Sequence, residues 1–161
     1  MGVKAVARTG LLVFVGVSVV ALIVKSLAPA PDNPAEYADP PSDGVVVTYF
    51  YSNTRCADCQ RIEEQSHQAL TAGFSGELQA GKLQWRMLNY ERFENMRLAR
   101  RYRIAMPMVV VARYENGSEQ DWRRLDRVWD LRTDREAFIA YVQTETRGLL
   151  SESDNATESV E

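Results

Sequence analysis

At 161 residues, 45% hydrophobic and 25% charged, the chain has room for one core of about 100 residues plus appendages. A formal net charge of -3 gives no electrostatic footprint for nucleic acid. The basic residues are nearly all arginine and are scattered as on a solvated surface, which argues against a concentrated basic binding face.

Residues 1–8 carry Lys4 and Arg8 and precede an uncharged apolar run that Lys25 interrupts. The run is longer than most signal-peptide cores and shorter than the roughly 20 residues of a comfortable span. Lys25 can snorkel to the interface, so the segment extends over 9–28. Ala28-Pro29-Ala30 has the small residues of a cleavage site, but cutting after either alanine leaves proline next. An uncleaved transmembrane anchor is therefore favoured over a removed signal segment. The basic residues ahead of it keep 1–8 in the cytoplasm and place the rest outside. This predicts a single-pass inner-membrane protein whose C-terminal domain faces the periplasm or cell exterior. Residues 29–43 hold five prolines and read as an extended linker.

One domain is expected over 44–150, with an acidic, disordered tail over 151–161. Residues 45–51 are dense in β-branched and aromatic types and read as a strand. The polar run Ser52-Asn53-Thr54 breaks it and offers helix-capping side chains. Ile62, Ser66, Ala69 and Gly73 then recur at helical spacing. A second strand is predicted over 83–90, with Trp85, Met87 and Asn89 on one face. A helix over 93–102 follows, its stripe made of Phe93, Met96, Ala99 and Tyr102. The strand over 108–114 turns at Asn116-Gly117, a strong hairpin signal, into a return over 119–124. Thr133-x-x-Glu136 reads as a capping box opening a helix that buries Ala137, Phe138, Tyr141 and Val142. The alternation implies an α/β layer fold.

The only cysteines, Cys56 and Cys59, fall at the start of the first helix, one turn apart on one face. They can close a disulfide or share a metal. Unpaired N–H groups and the positive end of the helix dipole there favour a thiolate, and Cys-x-x-Cys motifs so placed have thiol pKa values of roughly 3.5 to 7.5. Arg55 beside Cys56 favours its thiolate, whereas Asp58 beside Cys59 keeps that thiol protonated. Cys56 is accordingly the attacking sulfur and Cys59 the resolving one. Structural zinc needs four ligands, and His67 is the lone histidine. Copper needs only two thiolates, with Met106 and Met108 as soft neighbours, and remains an alternative. A purely structural disulfide closing so short a loop gains little.

Two further groups invite a functional reading. Cys59, Glu63 and His67 step along one helix face, where Glu63 and His67 are expected as an exposed carboxylate-imidazole pair. Trp85, Trp122, Trp129, Tyr49 and Tyr51 are expected mainly in core or sheet-face positions. Pro107 opens an apolar strand, where proline is tolerated at a first position.

The element order, the Cys-x-x-Cys at the first helix, and Ala99-Arg100-Arg101-Tyr102-Arg103-Ile104-Ala105-Met106-Pro107 ahead of an apolar strand together resemble the thioredoxin superfamily. More narrowly, Tyr49-Phe50, Arg55-Cys56-x-x-Cys59, Ile62-Glu63, Leu125-Asp126-Arg127-Val128-Trp129 and the final helix are similar to the thioredoxin-like family labelled ArsF, a nitrophenyl-compound nitroreductase subunit. The resemblance covers roughly 45–150. It implies a thioredoxin-like fold, a central mixed sheet flanked by helices, behind the single membrane helix. It also implies a cis bond before Pro107, so that Met106 and Pro107 bind an extended substrate segment beside the dithiol. The redox group is then the Cys56–Cys59 disulfide itself, with no added cofactor. The partner is a protein thiol or disulfide, such as a membrane electron carrier. A non-catalytic docking subunit is a further alternative. Two positions depart from thioredoxins: the acid six residues before the first cysteine is Phe50, and the Trp just before it is Arg55.

Overall fold

The computed structural model describes residues 41–158. The segments expected to be a cytoplasmic N-terminus (1–8) and an anchor (9–28), and most of the expected linker, lie outside the described residues, as do 159–161. No helix among the described residues is long and apolar enough to cross a membrane.

Strand β1 (Gly44–Tyr51) is the axis of a four-stranded sheet. It leads into helix α1 (Ala57–Gly73), a short helix α2 (Ser75–Gln79), and strand β2 (Leu83–Asn89), which returns parallel to β1. A single 3-10 turn at Phe93–Asn95 and helix α3 (Met96–Arg101) lead to β3 (Met108–Glu115), antiparallel to β1. A hairpin joins β3 to β4 (Ser118–Arg124), followed by the short α4 (Val128–Leu131) and the long α5 (Arg135–Glu158). The strand order is β2-β1-β3-β4. A parallel βαβ unit followed by an antiparallel ββα unit is the mixed sheet flanked by helices that a thioredoxin-like fold requires.

Alternation along β1 divides the interior in two. Val45, Val47 and Tyr49 join Ile62, Ala69 and Leu70 of α1 and Phe138, Val142 and Leu149 of α5 in the larger core. Phe50 faces the opposite side with Leu88, Tyr102 and Val110. There the Phe50 and Tyr102 rings meet edge-on at 5.8 Å. The hairpin forms as expected, with Asn116 at φ 51 and Gly117 at φ 72, the paired positive angles of a tight two-residue turn.

Four local expectations are corrected. Phe93 does not join a buried stripe: it is 88% exposed, because the chain opens with a 3-10 turn whose three-residue period rotates it away from the helix that follows. The cap of α5 is Asp134, not Thr133, since Asp134 Oδ1 accepts the Ala137 N–H at 3.1 Å. The stretch read as a disordered tail is helical through Glu158, and Glu152 pairs with Arg123 at 2.9 Å. Glu63 and His67 also separate: Glu63 binds Arg55 at 2.5 Å, and the His67 ring lies 5.7 Å from that of Trp85.

Gly44 opens β1 at φ +125, and a Cβ there would stand 2.6 Å from the Lys82 carbonyl oxygen. Gly44→Ala should therefore destabilise the fold by about 3 kcal/mol, combining backbone strain and overpacking. Gly117→Ala, at φ +72 with open space around it, should cost about 1 kcal/mol of strain alone. Urea unfolding of both variants checks the order.

Burial raises the phenol pKa of Tyr49, Tyr102 and Tyr141, with Glu119 adding to the effect at Tyr102 through a hydrogen bond. A phenol so raised contributes its full stability below the unfolded value of about 10, and that contribution is lost as pH climbs through the higher folded value. Alkaline unfolding followed by circular dichroism should accordingly begin above pH 10, and Tyr102→Phe should blunt its pH dependence.

Candidate functional site

The site begins where β1 ends. Ser52, buried, donates from Oγ to the Thr54 carbonyl at 2.8 Å, and the Asn53 N–H reaches Glu91 Oε2 at 2.9 Å. The capping group expected from Ser52-Asn53-Thr54 comes instead from Cys56. It is the N-cap of α1, in extended conformation (φ -93, ψ 159), and its sulfur accepts the Cys59 N–H at 3.0 Å. The Cys56 carbonyl takes the next intrahelical bond, from the Gln60 N–H. A sulfur in this position meets both the unpaired amides and the positive end of a 17-residue helix.

Cys56 and Cys59 are joined by a disulfide with S–S 2.05 Å and Cα–Cα 5.0 Å. Their surroundings differ. Cys56 is half-buried, while Cys59 is 6% exposed. Tyr49 sits behind Cys59 and donates from its hydroxyl to the Cys59 carbonyl at 2.8 Å. Burial raises the Tyr49 pKa, and the Glu63 charge raises it further, so this phenol stays a donor.

The charged neighbours are less simple than their sequence positions suggest. Arg55 donates to Glu63 Oε2 at 2.5 Å and lies over the Tyr51 ring at 5.4 Å. It therefore meets the sulfurs as half of an ion pair. Asp58, between the cysteines, holds Arg61 at 2.6 Å and Arg132 at 3.0 Å, so its charge is matched from two sides.

Arg132 opens the link to Pro107. Its guanidinium hydrogen-bonds the Trp129 carbonyl and stands over the Trp129 ring at 6.0 Å. Trp129 Nε1 in turn donates to the Pro107 carbonyl at 2.7 Å. The first turn of α1 and the residue before β3 are thus joined by Asp58, Arg132 and Trp129, a set whose tryptophan, expected in a core or sheet-face position, packs against the larger core. Pairing of Phe50 with Met108 in the register puts Pro107 at the same end of the sheet as the dithiol. Pro107 is buried and Met106 is 43% exposed.

The bond before Pro107 differs from the expectation, since no peptide bond among the described residues is cis. Trp129 occupies the Pro107 carbonyl, and what Met106 offers a neighbour is its exposed side chain. Met108 is turned into the larger core at 7% exposure. No cluster of three or more His, Cys, Asp or Glu suited to a metal occurs among the described residues.

No protein-family model matches this chain, and no curated protein matches its sequence. Solved structures do align with it. Chlamydomonas reinhardtii thioredoxin f2 is 18% identical over 59% of this chain and 82% of its own, with a TM-score of 0.36. Fasciola hepatica thioredoxin is 20% identical over 62% and 83%, with a TM-score of 0.36. Human ERp44 form I is 18% identical over 72% of this chain but only 28% of its own length, with a TM-score of 0.42.

Two variants examine the wiring. Glu63→Gln releases Arg55 from its carboxylate, so the pH at which Cys56 is half alkylated by iodoacetamide should move downward. Trp129→Phe removes the donor to the Pro107 carbonyl and should cost about 1 kcal/mol in urea unfolding; no loss would mean the bond contributes nothing.

Proposed function

We propose that this protein is a thiol-disulfide oxidoreductase that exchanges electrons with protein partners through Cys56 and Cys59. The observation that carries the reading is the asymmetry of the pair: Cys56 is half-buried and its Sγ receives an amide N–H, whereas Cys59 is enclosed. Exchange proceeds through attack by a thiolate on an accessible sulfur, and of the two cysteines Cys56 is the more exposed. In the reduced protein the Cys56 thiolate attacks a partner disulfide, forming a mixed disulfide and releasing one partner thiolate. Cys59, one helical turn away, then attacks Cys56 Sγ. That step closes the intramolecular disulfide and releases the second partner sulfur. Two electrons and two protons pass to the partner, and the reverse sequence oxidises a partner dithiol.

In the same reading, the apolar segment 9–28 tethers the domain to the outer face of the inner membrane. Its support is the uncharged run behind Lys4 and Arg8. Resemblance to the ArsF family supplies the partner class, a membrane electron carrier serving a nitroreductase system. Of Met106 and Pro107, the exposed Met106 side chain is the part that would meet the partner.

The test uses the full-length chain and its cysteine variants. Cys56→Ser should abolish disulfide reductase turnover. Cys59→Ser should accumulate a covalent adduct, visible as a band that collapses on adding dithiothreitol. Loss of activity in both variants with no adduct in either would overturn the assigned roles.

A further inference from the structure

Two large apolar side chains are exposed among the described residues, Phe93 and Met106. Sheet topology brings both to the end that carries the dithiol. β2 runs parallel to β1, so the turn after β2 that holds Phe93 lies at the end where β1 gives way to Cys56. β3 runs antiparallel to β1, so Met106, just ahead of it, enters from that same end on the other side. β1 stands between them in the sheet.

Hydrogen bonds tie the Phe93 turn to the loop that presents Cys56. Asn95 Nδ2 donates to the Asn89 carbonyl at 2.9 Å, and Asn89 Nδ2 donates to Asn53 Oδ1 at 2.8 Å. Glu91 Oε2 accepts the Asn53 N–H, three residues before Cys56. Next to Phe93, Arg92 and Glu94 pair with each other at 2.7 Å. The charges beside the ring are thus matched, and the ring itself is what the turn presents. One exposed apolar residue is ordinary on a protein surface. Here two stand at the sheet end that carries the dithiol, and one of them is fixed to the loop that leads to Cys56.

We infer that Phe93, together with Met106, receives an apolar side chain next to the reactive cysteine of the protein partner, making Phe93 a determinant of which disulfides are exchanged. The inference rests on the dithiol exchange proposed above and extends it to the partner's chemistry: an uncharged, apolar segment around the cysteine. Continuity with the dithiol, on both sides of β1, selects this occupant over a second copy of the chain.

The experiment measures how fast the reduced full-length protein is oxidised by three disulfides. One is a disulfide-linked peptide pair with leucine on each side of the cysteine. The second is the same pair with serine there, and the third is hydroxyethyl disulfide. In each reaction the protein dithiol becomes the Cys56–Cys59 disulfide and the reagent becomes two thiols. The leucine pair should react about tenfold faster than the serine pair, the factor expected when part of a Phe side chain is covered. Phe93→Ser should reduce that preference to about twofold, while Phe93→Leu should keep most of it. Phe93 is exposed, so neither change disturbs the core.

Oxidation by hydroxyethyl disulfide with no preference between the peptides would overturn this inference and leave dithiol exchange standing. A preference unaltered in Phe93→Ser would likewise overturn it. Failure of hydroxyethyl disulfide to oxidise the protein would overturn the exchange reading itself and this inference with it. A dimer by sedimentation that Phe93→Ser converts to monomer would assign the patch to a second copy instead.

Discussion

A helix that begins at a sulfur must satisfy its first amides with that sulfur, and here the Cys59 N–H reaches Cys56 Sγ at 3.0 Å. The contact works because Cys56 keeps extended backbone angles while Cys59 is already inside the helix. Anchoring of β1 in the centre of the sheet fixes where the helix starts. Packing of Ile62, Ala69 and Leu70 against the core fixes its rotation. Cys59 therefore turns inward and Cys56 stays at the rim. Different access at two sulfurs one turn apart is a consequence of strand and helix packing.

Electrostatics at the rim are arranged in matched pairs. Arg55 is held by Glu63, and Asp58 by Arg61 and Arg132. Exposed pairs of this kind contribute little to stability, on the order of 0 to 1 kcal/mol each. Their greater effect is on the field at the sulfurs, which is left mainly to the amides and dipole of α1. The structure thus accommodates Phe50 where thioredoxins carry an acid. Phe50 packs in the smaller core on the far face, against Tyr102. On the near face Tyr49 supplies a neutral donor to the Cys59 carbonyl.

Much of the fold could be read from period and punctuation. A run dense in β-branched and aromatic residues marked β1, the spacing of Ile62, Ser66 and Ala69 marked α1, and Asn116-Gly117 marked the hairpin. Reading failed where a tertiary contact outweighs local pattern. Phe93 has the spacing of a buried residue, but Asn95 bonds back to the Asn89 carbonyl and the chain takes a tighter turn. The position of the dithiol was legible because Cys56 and Cys59 are the only cysteines and follow a strand directly. The partnership of Asp58, Arg132 and Trp129 was not, since 74 residues separate Asp58 from Arg132 and no periodicity reports a contact of that range. The orientation of Met108 and the trans bond before Pro107 belong to the same class of facts, settled by packing around β3.

The outer border of the sheet has its own consequence. β4 carries Glu119, Asp121, Arg123 and Arg124 along an edge that no strand among the described residues covers. Charges of both signs on an edge strand discourage a foreign chain from adding itself there, because any such chain would have to match each charge in turn. Edge-on recruitment is thereby discouraged on that flank of the sheet.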